Sequence, residues 1–173
     1  MIHATALFLI TLVMAGGTGC SSEKGKRYFS ADEKFSIAFP KAWKVREGVK
    51  GTIFLAELPT EGELSLIKQN VNVLVEETKV PVSLGNYVDL QVAILNRLKG
   101  IKTFSRNSAV INGIPVLWFF YSYTIQDFGY KAVVYSLTRN NKKFYVITGI
   151  AEFNKFNKYE TLFNEAAHSF RFE

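Results

Sequence analysis

An α+β fold, with helices packed on a central antiparallel β-sheet, follows from three features of the sequence. Apolar residues recur at every second position in several short runs, and tight-turn signals join those runs. Two other segments carry apolar residues at helical spacing. The chain of 173 residues holds 15 Phe, 8 Tyr and 2 Trp, enough apolar surface for one core without metal or disulfide. Strands linked by hairpins pair antiparallel, and the helices must then cover the sheet.

Phe35, Ile37 and Phe39 alternate with Ser36 and Ala38 before Pro40 stops the run. Residues 52–58 follow Gly51 as a further strand, and residues 59–62 read as a turn. Residues 64–77 hold a period of two, with Val71, Val73 and Val75 on one face and Asn70, Asn72 and Glu76 on the other. The period then changes. Leu84, Tyr87, Val88, Gln91, Ile94, Leu95 and Leu98 form a helical stripe, with Ser83 as N-cap and Gly100 just past the end. Residues 108–111 meet Asn112-Gly113, a pair that favours a two-residue hairpin. In residues 114–125, Phe119 and Tyr121 share one face and Trp118 and Phe120 the other, which predicts a strand covered on both sides. Residues 130–138 and 143–151 form the next hairpin across residues 139–142. Phe156, Tyr159, Leu162, Phe163 and Ala166 mark a closing helix capped by Asn154, after which Phe170 and Phe172 dock the last residues on the sheet.

Residues 1–19 contain no Asp, Glu, Lys or Arg, and an apolar run ends in small residues just before Cys20. That is the form of a secretory signal peptide, and the run is shorter than the ~20 apolar residues a spanning helix needs. Cys20 is the sole cysteine, so no disulfide forms within one chain, and a lone cysteine in an exported protein calls for a free thiol, an intermolecular bridge or a modification. Gly16-Gly17-Thr18-Gly19-Cys20 resembles the lipobox of bacterial lipoproteins, although it has Gly17 where leucine is usual and no basic residue at the start. The resemblance implies cleavage between Gly19 and Cys20, diacylglycerol on the Cys20 sulfur and acylation of the new amino terminus. A soluble exported protein with an incidental Cys20 is the alternative. Residues 20–33, rich in Ser, Gly and mixed charge, then read as a flexible tether, and residues 34–173 as one globular domain. In a cell with two membranes, Ser21 after the cysteine implies the outer membrane, facing the periplasm.

Phe39-Pro40-Lys41-Ala42-Trp43 resembles the opening of PsbP-like domains. Asn112-Gly113-Ile114-Pro115, the aromatic strand after it, Tyr145-Val146-Ile147-Thr148 and Ser169-Phe170-Arg171-Phe172 fall where that family has similar segments. The chain also resembles the DcrB-like branch of envelope lipoproteins, which joins a lipobox to such a domain. The resemblance covers residues 30–173 and implies an α/β/α sandwich that binds or supports other macromolecules. It brings no catalytic set with it. Trp43 itself reads as a core aromatic on a turn.

The chemistry in the residues is sparse. His168 is the one histidine after the leader, too few for a zinc site of His and Cys, and it reads as a surface residue near a helix C-terminus. Nucleophile-elbow, P-loop and dinucleotide-binding glycine patterns are missing from the sequence. Glu76 and Glu77 are neighbours on a strand and point to opposite faces, so they do not pair as acid and base. Asp127, Glu152, Glu160 and Glu165 could meet only through the fold. The net charge of +6 is scattered over Lys41, Lys44, Arg46, Lys50 and Lys68 with acids between, which predicts no nucleic-acid partner. The sequence thus predicts a membrane-anchored, non-catalytic interaction module without cofactor, whose partner is an envelope protein. Its alternative is a small-ligand or lipid carrier with an aromatic pocket built from Trp118, Phe120 and Tyr123.

Overall fold

The computed structural model describes residues 25–59, 66–104 and 106–173. Its elements run β1 (Lys26–Ser30), β2 (Phe35–Phe39), β3 (Lys44–Glu47), β4 (Phe54–Glu57), β5 (Asn70–Glu77), α1 (Leu84–Asn96), β6 (Lys102–Thr103), β7 (Asn107–Ile111), β8 (Ile114–Ile125), β9 (Phe128–Thr138), β10 (Lys143–Glu152), α2 (Phe156–His168) and β11 (Arg171–Phe172). Among the described residues the strands form two antiparallel sheets. The larger has the order β3-β4-β5-β10-β9-β8-β6, with β7 also paired to β8, and the smaller is β1-β2-β11.

Period-two alternation gives the large sheet two apolar faces, each with its own cover. Val71, Val73, Val133, Ile147 and Phe54 face α2 and β2, where they meet Phe156, Phe163, Ala166, Phe35, Ile37 and Phe39. Phe119, Val134, Phe144 and Val146 face α1 and bury Tyr87 and Val88. The Tyr87 ring stacks on Phe144 with centroids 3.9 Å apart. Each such side chain contributes about 1.5–3 kcal/mol on leaving water. Gly149 lets α2 approach the sheet, since a Cβ there would stand 2.8 Å from the Phe163 Cβ. The result is the α+β sandwich read from the sequence, with a small sheet added beside α2.

Local signals acted as their chemistry requires. The Ser83 side chain accepts a hydrogen bond from the Asn86 amide at the start of α1. Asn112 and Gly113 take φ of 50° and 79°, the two left-handed residues of a tight hairpin turn. Trp43 is buried against Tyr159 and Phe163, with ring centroids 6.4 and 6.3 Å away. Phe172 pairs with Phe35 in the β11–β2 register, and Phe170 stacks on Phe35 with ring centroids 5.2 Å apart.

Three expectations need correction. The segment 20–33 is not a tether throughout: Lys26–Ser30 pairs with β2 from Lys26↔Phe39 to Ser30↔Phe35. Tyr28 packs 5.7 Å from Phe39 and 6.0 Å from Phe54, while Arg27 donates to Ser36 Oγ at 2.8 Å and the Ser169 carbonyl at 3.0 Å. Mixed charge hid a strand whose partners lie far along the chain. The α1 stripe is narrower than its spacing suggested, because Ile94 and Leu98 turn to solvent. Asn154 does not cap α2; Lys155 holds the N-cap position without a side-chain bond. Residues 1–19 and Cys20, with the cleavage and lipidation expected there, lie outside the described residues.

Candidate functional site

The aromatic pocket expected from Trp118, Phe120 and Tyr123 does not form. The β8–β9 register runs unbroken from Val116↔Leu137 to Ile125↔Phe128, so an even and an odd residue of β8 stay on opposite faces. Trp118 and Phe120 lie on the α2 side, 5.3 Å apart edge to face, and the Lys131 ammonium sits 4.4 Å over Phe120 and 4.5 Å over Phe156. Tyr123 lies on the other side, stacked between Tyr121 at 5.6 Å and Tyr130 at 5.4 Å. The period of two already carried this answer.

A concave polar trough opens on the sheet face beyond α1. Two cross-strand rows floor it: Lys44↔Glu57↔Asn70↔Ile150, and Arg46↔Leu55↔Asn72, carried by β3, β4, β5 and β10. The cavity, about 560 Å³, is closed at one end by the β3–β4 turn with Val49, Lys50 and Thr52. Leu66, Ile67 and Lys68 form another wall, pinned by the Ile67 amide donating to Tyr130 Oη at 3.2 Å. Asn70 is 6% exposed; its amide nitrogen donates to the Lys68 carbonyl at 2.8 Å and its oxygen accepts from Asn72 Nδ2 at 3.2 Å. Among the described residues four cations, Lys44, Arg46, Lys50 and Lys68, line the trough against one carboxylate, Glu57, which Arg46 already pairs. Among the described residues Lys44, Lys50 and Lys68 form no ion pair. Sequence reasoning took these lysines as scattered surface charge. The signal it passed over was two carboxamides alternating with valines on a strand, since a buried amide asks for a hydrogen-bonding partner.

The groups singled out for chemistry stay apart. His168 is exposed on the last turn of α2. Glu76 faces α1 and accepts from the Tyr87 hydroxyl, whereas Glu77 faces Lys143 at 2.9 Å. Among the described residues, Asp127, Glu152, Glu160 and Glu165 join no group of three or more potential metal ligands. Burial raises the Tyr87 phenol far above its usual value, and the bonded Glu76 carboxylate adds to this. Burial also raises Tyr121, Tyr123 and Tyr135, so these phenols stay protonated as parts of the core.

The exposed side of α1 carries an apolar row beside the polar residues Asn86, Asp89 and Asn96. Leu90 and Ile94 stand one helical turn apart, 59% and 51% exposed, and Leu98 follows past the helix end at 52%. Arg97, Lys99 and Lys102 flank them, all exposed.

Among curated protein sequences no match to the chain is found. Solved structures resemble it in fold. Cyanobacterial PsbP (CyanoP) from Synechocystis sp. PCC 6803 aligns with a TM-score of 0.62 at 17% identity, over 94% of this chain and 99% of that one. LpqN of Mycobacterium tuberculosis, described as involved in cell envelope biogenesis, aligns with a TM-score of 0.65 at 9% identity, over 84% of this chain and 83% of that one. PA94 of Pseudomonas aeruginosa, of unknown function, aligns with a TM-score of 0.58 at 14% identity, over 84% and 94%. These likenesses concern the fold alone. A sequence model of PsbP matches residues 23–172, nearly the whole folded body, and the chain belongs to the PsbP family.

Proposed function

We propose that this protein is a non-catalytic docking module of the cell envelope, held at a membrane by lipid on Cys20, with the outer face of α1 as its docking surface. The observation that carries the reading is the apolar ridge of Leu90, Ile94 and Leu98, which the fold leaves uncovered. Exposed apolar side chains gathered in one row on a helix, rather than scattered singly, suit a docking surface. Arg97, Lys99 and Lys102 beside the ridge fit an envelope protein whose apolar groove has an acidic rim. Family membership supports the reading, as does a fold shared with an envelope-biogenesis protein. The anchor localises the body and raises its effective concentration at the partner. In a cell with two membranes, the site of action is the outer membrane, on its periplasmic face.

A photo-crosslinking residue at Ile94 in intact cells tests this, with His168 on the opposite side as control. The same envelope protein should be recovered from position 94 and not from 168, and Leu90→Asp should abolish its capture while leaving thermal stability within ~0.5 kcal/mol. No adduct at 94, or the same adducts at both positions, would refute the docking surface.

A further inference from the structure

The trough lies on a different part of the molecule from the α1 ridge, and its chemistry asks for a different occupant. We infer that it binds a phosphorylated polyol, with the phosphate held among Lys44, Lys50 and Lys68 and the hydroxyls set against Asn72. Three lysines without a carboxylate partner among the described residues gather on one concave surface, where mutual repulsion is relieved by an incoming anion. The positions are built. Lys50 takes the left-handed φ of 53° between Gly48 at 65° and Gly51 at 79°, a conformation that glycine or asparagine adopts at lower cost. The turn is fixed by the Gly48 amide on the Ile53 carbonyl at 3.2 Å and the Thr52 hydroxyl on the Val49 carbonyl at 2.7 Å. Lys68 is placed by its carbonyl, which accepts from Asn70.

The floor narrows the ligand class. Asn72 spends one amide hydrogen on Asn70 and keeps its oxygen without a partner among the described residues, ready to accept from a hydroxyl. Leu55 and Ile150 give the floor small apolar patches that suit the C–H edges of a polyol. Among the described residues the lining contains no aromatic side chain, although Phe, Tyr and Trp make up 14% of the chain. A nucleobase or a neutral pyranose recognised by stacking would find no platform here. Two sources offer the same chemistry, a free polyol phosphate and the headgroup of a phospholipid such as phosphatidylglycerol.

The test is a titration of the full-length chain carrying Cys20→Ser, followed by amide NMR. Its probes are glycerol 3-phosphate, dihexanoyl phosphatidylglycerol below its micelle concentration, dihexanoyl phosphatidylcholine and inorganic phosphate. Saturable shifts centred on Lys50, Lys68, Asn70 and Asn72 are expected with glycerol 3-phosphate or with phosphatidylglycerol, and whichever binds more tightly identifies the free or the headgroup source. Lys50→Glu with Lys68→Glu should weaken binding about tenfold or more with an unchanged melting temperature, and the milder Lys68→Gln should act in the same direction. Asn72→Leu should weaken both polyol probes and leave inorganic phosphate unaffected. Absent or scattered shifts overturn the inference, as does equal binding of inorganic phosphate and glycerol 3-phosphate, or full affinity in the double variant. A failed titration leaves the α1 docking test untouched, because no residue is shared between the two.

Discussion

Asn112 does more than turn the chain. Its backbone takes the first left-handed position of the β7–β8 hairpin, and its side-chain amide donates to the carbonyls of His168 at 3.0 Å and Phe170 at 2.8 Å. The His168 carbonyl closes α2, where acceptors lack intrahelical partners, and the Phe170 carbonyl lies just past the helix end. The pair Asn-Gly made the turn legible, but the tie to α2 was not, since it joins residues more than fifty positions apart. Asn112→Ala should therefore cost about 1–3 kcal/mol in denaturant unfolding, more than an exposed turn alone would explain. Asn112→Gly separates the two effects: it keeps the backbone conformation and loses the tie, so a neutral result would show that the side-chain bonds contribute nothing.

At the scale of elements, β1 is the finding that sequence patterning missed. Lys26 and Arg27 look like solvated charge, yet the strand they open pairs along all five of its residues with β2. Hydrogen exchange should show amides of β1 that bond to β2 protected on the same timescale as β2 itself; exchange at coil rates would restore a tether reaching to residue 33. The strands β4, β5, β8, β9 and β10 and both helices were legible because each buries one face at its own period. Short edge strands were not, since Lys44–Glu47 and Lys102–Thr103 bury little and depend on a neighbour for their register. The same logic explains the trio on β8. Trp118, Phe120 and Tyr123 are close in sequence and rich in rings, but parity divides them, and only the two even residues share a face. The candidate trough was half visible: Asn70 and Asn72 had the right alternation, while Lys50 and Lys68 reach the same hollow only through the fold. For α1, helical spacing identified the element and overstated its buried face, because a helix on one side of a sheet covers only part of its own circumference.

At the scale of the molecule, protonation of the core limits its alkaline range. Burial holds the phenols of Tyr87, Tyr121, Tyr123 and Tyr135 above their ordinary value of 10.0. An unfolded chain releases those protons near pH 10, and the folded chain keeps them to higher pH. The folded state then binds more protons, so stability is complete below about pH 10 and falls as pH rises beyond it. Lys143 acts in the same direction, since hydrogen bonds to Glu33 and Glu77 raise its value and hold it charged. The tyrosinate absorbance of Tyr87, Tyr121, Tyr123 and Tyr135 should appear together with the loss of circular dichroism in one alkaline transition; ionisation of these four near pH 10 with the fold intact would contradict this packing.

With lipid on Cys20, as proposed, the PsbP-family body would sit close to the bilayer, since only five residues separate Cys20 from the start of β1 at Lys26. Intact mass of the protein extracted from envelope membranes tests that claim most directly. The account predicts a chain that begins at Cys20, has lost residues 1–19 and carries the added mass of diacylglycerol and an amino-terminal acyl group. A chain bearing an unmodified Cys20 thiol, with the leader cut elsewhere or kept, would contradict it.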